Sequence, residues 1–329
     1  MKQVDLSKLA AIPYLDLSNH QGRTLSSLCF YDGDWKMWIS AGDQLIQTRA
    51  WPAESFYFAR VPERPSDISL QILNFIAQRA SFPELMKAFV GFQEDIFNVS
   101  ASLAKMGFLH AHRDTIKHGI GRMATTEVEY ILSVCRSMFD LLQEMVGHIW
   151  KSIQLFDASI KKKPLKESFS DMILLSGKPA SAIQISERFG LPAALADVYV
   201  GHSQFFLNLR RIRDNIVHRG SQVQTIFTGE GGFLVSGNLR PFPDWDIWHD
   251  DEREPNGLVP ILPALGLVVH HTLKACEEFF HTLEQVVAFP TSLVPGMTFF
   301  MRGYFNDDFV SILRDAAQRE TASRNAQTG

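Results

Sequence analysis

The sequence predicts a mainly α protein, an up-and-down helical bundle with a small N-terminal β region and a β-hairpin insertion. Three observations carry this. Residues 1–65 concentrate aromatics and turn formers. From Ser66 onward apolar residues recur at helical spacing. The stretch Thr225 to Ser236 then interrupts the helices with two strand-like runs around Gly229-Glu230-Gly231-Gly232.

Element by element, Lys36 to Ser40 and Gln44 to Thr48 read as strands joined by a tight turn at Ala41-Gly42-Asp43. The proline-bearing stretch Arg60 to Pro65 is the expected boundary of the β region. Ile68, Ile72, Phe75 and Ile76 then form an apolar stripe, followed by a helical pattern from Glu84 to about Arg113. A second long helix is expected from about Thr126 to Ile153. Thr126-Glu127-Val128-Glu129 has the shape of a capping box, and Ile131, Val134, Cys135, Met138, Leu141, Leu142 and Met145 supply a buried face.

The connector that follows carries the run Lys161 to Lys163, which reads as solvated loop. A third helix spans Ala194 to about His218, with Phe205, Leu209, Ile212 and Ile216 on one face and Gly220 as its stop. The hairpin and an acidic loop holding Trp245 and Trp248 precede a last long helix, about Pro263 to Val287, with Leu267, Leu273, Cys276, Phe280 and Leu283 inward. Beyond about Asp315 the chain is polar and is expected to fray. The organisation is therefore residues 1–65 as a β-rich region, 66–290 as a helical bundle and 291–329 as a C-terminal extension.

Composition narrows the function. The 329 residues are 46% hydrophobic with a net charge of -4, so a core is assured and no whole-molecule positive field gathers nucleic acid. Any grip on phosphate must be local. The 3 cysteines show no CxxC spacing, which argues against a disulfide framework or structural zinc and fits a reducing cytoplasm. The N-terminus lacks the pattern of a secretory signal, and the longest apolar stretch, Gly257 to Val269, is broken by Pro260 and Pro263, so no membrane association is expected. No GxGxxG, P-loop, GxSxG or HExxH pattern occurs. The histidine groups His110, His112, His118 and His270-His271 form no metal motif and read as packing or surface residues, so neither a cofactor nor a metal is expected.

One segment remains. Phe205 to Gly220, FFLNLRRIRDNIVHRG, sets an apolar stripe on one side and crowds Arg210, Arg211, Arg213, Asp214, Asn215, His218 and Arg219 into the last turns of a helix. Cations there also suit the helix C-terminus, where each is worth only about 0.3–1 kcal/mol.

Arg213-Asp214-Asn215-Ile216-Val217-His218 resembles the Arg-x4-6-His signature of the HEPN family, in which a polar residue commonly follows the Arg. The preceding amphipathic helix, the ending Val-His-Arg-Gly, the upstream Arg136-Ser137-Met138-Phe139-Asp140 and the connector Glu167 to Asp171 agree with it. The similarity covers roughly residues 85 to 290. A second match, Arg113 to His118, lies before the expected start of the long helix and is read as coincidence or bundle packing.

The resemblance implies metal-independent cleavage of RNA in a cleft shared by a homodimer, with relatives acting as toxins restrained by an antitoxin or other neutralising protein, or as antiviral defence effectors. It casts His218 as general acid/base and Arg213 as the holder of the phosphate and its transition-state charge. Imidazole, with an ordinary pKa of about 6.5, suits proton transfer at neutral pH, and guanidinium suits phosphate. Asp214 or Asn215 is cast as orienting His218 or binding phosphate. Attack by the 2′-OH would leave a 2′,3′-cyclic phosphate and spare DNA.

Positions five apart on a regular helix diverge by about 140°, so Arg213 and His218 would need a helix end or bend to share a face, whereas Arg211 shares a face with His218. Arg211 therefore belongs beside Arg213, and an unwinding at Gly220 is expected. Two other readings stay open: a non-catalytic HEPN-like module that binds RNA, a nucleotide or a protein partner, and a helical bundle of unrelated role. For the β region, Trp35, Trp38 and Trp51 are expected to pack in a core rather than stack bases. The acidic loop Asp244 to Asp251 suits a protein contact or an intradomain lid.

Overall fold

The computed structural model describes residues 4–116, 118–219, 225–237 and 247–328, and for 217–219 and 324–328 the backbone alone. After a single helical turn, α1 (Leu6–Leu9), capped by Asp5, come β1 (Cys29–Tyr31), β2 (Trp35–Ala41), β3 (Gln44–Thr48) and β4 (Ser55–Ala59). The expected hairpin is present: β2 and β3 pair antiparallel from Met37–Thr48 to Ala41–Gln44. Gly42, at φ +64, makes the tight turn that an L side chain would resist.

The fifth strand of this sheet is β10 (Thr298–Arg302), antiparallel to β4, giving the order β10-β4-β1-β2-β3. The sheet opened by the N-terminal residues is thus completed by the C-terminal extension. Phe30 and Phe58 of the sheet share one continuous core with the helices. Trp35 is buried against Tyr57, as its expected packing role requires, whereas Trp51 is exposed. A charged lock fastens the seam. Arg302 is 2% exposed and ion-pairs with Asp67, at 2.5 Å, and with Glu63, while Tyr57 donates to Asp67 at 2.7 Å.

The helical layer begins with α2 (Gln71–Phe75), which continues as a π turn over 76–80. α3 (Pro83–Ala111) and α4 (Ile120–Ser152) are an antiparallel pair, in register at Ser102–Glu127 (2.8 Å). α4 starts six residues before the expected capping box, at left-handed Gly119, and the Thr126 hydroxyl instead donates back to the Arg122 carbonyl at 3.0 Å. Ala124, fully buried, explains the longer helix: its first turns have core to cover.

Then come α5 (Phe169–Ile173), the short β5 (Leu174–Leu175) and β6 (Lys178–Pro179), α6 (Ala182–Phe189) with a true capping box at Ser181 and Gln184, and α7 (Ala193–Arg219). The expected hairpin is β7 (Phe227–Thr228) with β8 (Phe233–Ser236), extended by β9 (Leu258–Pro260). Trp248 is buried here and donates to the Pro260 carbonyl at 2.8 Å; the expected loop's other tryptophan, Trp245, lies outside the described residues.

α8 (Ile261–Val286) runs through the core, and α9 (Asn306–Thr328) packs across it. The polar end of the chain is therefore helical, contrary to the expected fraying. Phe309 and Ala316 are buried, Gly266 permits close approach to Ile312, and Arg319 holds Glu252 through two hydrogen bonds of 2.7 Å. Charge pairing at Arg319 and the burial of Phe309 and Ala316 dock a helix whose composition alone reads as solvated. No helix among the described residues is long and apolar enough to cross a membrane.

Candidate functional site

α7 is placed by its N-terminal half. The Tyr199 hydroxyl, fully buried, donates to Gln143 of α4 at 2.7 Å, and Phe206 stacks among Phe139 and Phe169. Leu209 is sealed in the core, whereas Phe205, Ile212 and Ile216 of the expected stripe are half-buried. The core-facing residue is Phe206, one position from the expected Phe205. The last turns of α7 thus leave the densest packing and run antiparallel along the outer part of α4.

That register brings three guanidiniums together. Arg136 of α4 lies over the Phe206 ring at 5.3 Å and pairs with Asp140 one turn on. Burial first, and then the positive charges of Arg213 and Arg210, lower the pKa of the Arg136 guanidinium; Asp214 opposes them. Arg210 Nε lies 3.5 Å from Asp214 Oδ2, and Arg213 Nη1 lies 3.4 Å from Asp214 Oδ1. Arg136 Nε is buried and finds no hydrogen-bond partner among the described residues. Two carboxylates thus serve three clustered guanidiniums where the last turns of α7 lie along the middle of α4. Such a cluster is suited to take an anion, because planar guanidiniums can each offer two donors to a phosphate.

The sequence-predicted residues divide. Arg213 and Asp214 enter this cluster. Arg211 does not join the pairing: it is exposed and donates from Nη2 to Asn208 Oδ1 at 3.1 Å, one turn back on its own helix. Asn215 is half-buried. The backbone of His218 belongs to the last turn of α7, its side chain lies outside the described residues, and so does Gly220, with the expected unwinding. The helix continues from Arg213 through Arg219, so the two signature residues diverge by about 140° within one chain.

Arg113 sits on the turn after α3 and donates to the His110 carbonyl at 3.2 Å. It lines an open polar cavity of about 980 Å³ beneath the β7–β8 hairpin, while His118 is an exposed turn residue beside Gly119. Arg113 and His118 thus both lie between α3 and α4 rather than on a helix.

Arg136 and Arg210 join the cluster although neither belongs to the Arg-x4-6-His spacing. The signal for Arg136 was its i,i+4 spacing to Asp140 on a helix otherwise dominated by buried apolar positions. Among the histidines, His110 meets the Gly229 carbonyl at 2.9 Å, His202 meets Glu278 at 2.8 Å, and His270 and His271 approach Glu320 at 3.1 and 3.5 Å. No metal-binding group of three or more such residues occurs among the described residues.

The three cysteines are buried free thiols, Cys135 being pushed up to about 12 by burial. No family model, curated protein or solved structure matches the chain.

Proposed function

We propose that the protein is a metal-independent endoribonuclease of HEPN type. The observation that supports this best is the gathering of Arg210 and Arg213, on the C-terminal part of α7 that also carries His218, with Arg136 of α4. In this reading the guanidiniums bind the scissile phosphodiester and offset charge growing on its oxygens, and His218 moves the proton to or from the ribose 2′-OH or the leaving oxygen.

The 140° separation of Arg213 and His218 gives a reason for two copies to act together, one chain's arginines working beside the other's imidazole. The half-buried Ile212 and Ile216 leave apolar surface next to the site for such a second copy. The biological setting that goes with this chemistry is a growth-arrest toxin held by a neutralising protein, or an antiviral effector.

The same separation favours a second reading, a non-catalytic module in which the arginines bind RNA, a nucleotide or a partner protein and His218 takes no part in chemistry. The experiment that separates them is incubation of the purified protein with RNA in EDTA. The proposal expects cleavage by the wild type, and loss of about 10²–10⁴-fold in His218→Ala with thermal unfolding unchanged. Binding without cleavage, equal in both proteins, supports the module.

A further inference from the structure

We infer that the groove between α4 and the connector 160–167 is the path along which single-stranded RNA leaves the arginine cluster, an inference that rests on the function proposed above. The groove has a volume of about 880 Å³ and an apolar base of Gly147, Trp150, Pro164 and Leu165. It is built, not incidental. Gln143 Nε2 donates to the Lys166 carbonyl at 2.8 Å, Trp150 Nε1 donates to the Lys163 carbonyl at 3.0 Å, and Lys162 Nζ donates to the Trp150 and Ile153 carbonyls at 2.6 and 2.5 Å. Within the exposed loop 161–163, Lys162 is therefore tied to the C-terminal end of α4.

Charge and continuity identify the occupant. Lys162 and Lys163 are held by backbone carbonyls, Lys163 by that of Glu187 at 2.7 Å, and among the described residues neither forms an ion pair with a carboxylate. Lys151 and Lys166 stand on the same groove. Asp140 both lines the groove and pairs with Arg136, which makes the groove continuous with the arginine cluster. Arg136, Asp140, Gly147 and Lys151 lie on one face of α4, and the rise of an α-helix puts about 22 Å between the first and the last.

Asp140, Glu144 and Glu167 also line this path. Carboxylates beside lysines suit a ligand that carries donors as well as anionic charge. Single-stranded RNA carries base N–H and amino donors beside its phosphates, and its bases find an apolar floor that the side chains of an acidic peptide do not fill.

The test uses fluorescein-labelled 2′-O-methyl oligouridylates of two to ten nucleotides, which lack the attacking hydroxyl and so report binding alone. Gly147 has open space where a Cβ would stand, so Gly147→Leu fills the groove without straining the fold. Affinity for the wild type is expected to rise with length. In Gly147→Leu the longest oligomer should bind at least about tenfold more weakly, the scale of one stacked base. In Lys151→Gln with Lys166→Gln the salt slope should fall by about 0.7 for each phosphate that a lysine no longer neutralises.

Length-dependent binding unchanged in both variants but abolished in Arg213→Ala overturns the groove and leaves the proposed site standing. No binding of any oligomer at low salt overturns both. A polyglutamate of matched charge that binds the groove as tightly as the oligouridylate overturns the assignment to RNA.

Discussion

Arg213 donates through Nη1 to Oδ1 of Asp214, its neighbour in sequence, at 3.4 Å, and the same carboxylate lies 3.5 Å from Arg210 Nε. Both partners are close to half exposed, so each ion pair is worth at most about 1 kcal/mol and a phosphate can displace it. Asp214 therefore competes with substrate for the guanidiniums. Asp214→Asn is expected to tighten oligoribonucleotide binding severalfold, measured by fluorescence anisotropy at fixed salt; weaker binding would make Asp214 a ligand-holding residue instead.

Arg302 and Asp67 form the charged lock between β10 and the segment after β4, 2% and 1% exposed. Removing one charge leaves the other buried without its partner. Arg302→Met is expected to lower unfolding stability by about 3–5 kcal/mol in urea titrations. A loss under about 1 kcal/mol would show that water reaches the site.

Glu277 caps the start of α2, accepting from Gln71 N at 2.8 Å, yet burial pushes its carboxyl up to about 7. A folded pKa above the unfolded value means the folded state holds the extra proton between the two. Stability from this group is full below about pH 4.5 and is lost as pH rises to about 7, with a slope of up to about 1.4 kcal/mol per pH unit. Glu277→Gln keeps an acceptor oxygen and removes the titration. Its melting temperature should gain on the wild type as pH rises from 5 to 8; a constant difference contradicts the assignment.

Gly190 ends α6 at φ +64, and a Cβ there would stand 2.2 Å from the Lys161 carbonyl oxygen. Gly190→Ala must both strain its backbone and push the connector off α6. A loss of at least about 1–3 kcal/mol is expected in chemical denaturation; a neutral substitution would mean that the connector yields freely, against its role as a groove wall.

The helices that pack through their own periodicity were legible in the sequence. The expected bounds of α7 and α8 lie within two residues of those observed, because their apolar positions repeat along one face and meet the core. The β2–β3 hairpin was legible because Gly42 fixes its turn. What depends on distant partners was not. Thr298–Arg302 becomes a strand because β4 offers it an edge, and α9 is helical to Thr328 although its composition looks solvated, because Glu252 and Gly266 give it a docking face and Lys274 holds its Glu320.

In the candidate site, Arg213 stood out through its spacing to His218, whereas its meeting with Arg136 did not, since nothing along the chain says that α4 and α7 meet at that register. The continuous helix also removes the bend that a shared face for Arg213 and His218 would have needed.

In the proposed function, arginines on α7 hold a phosphodiester while His218 moves a proton of the adjoining ribose. This is tested most directly with a DNA oligomer carrying one ribonucleotide, incubated with the wild type and with His218→Ala in EDTA, the product termini being weighed by mass spectrometry. The account predicts a single cut after the ribonucleotide, a 2′,3′-cyclic phosphate end, and no cut by His218→Ala. Cleavage at deoxynucleotides, or an undiminished cut by the variant, contradicts it.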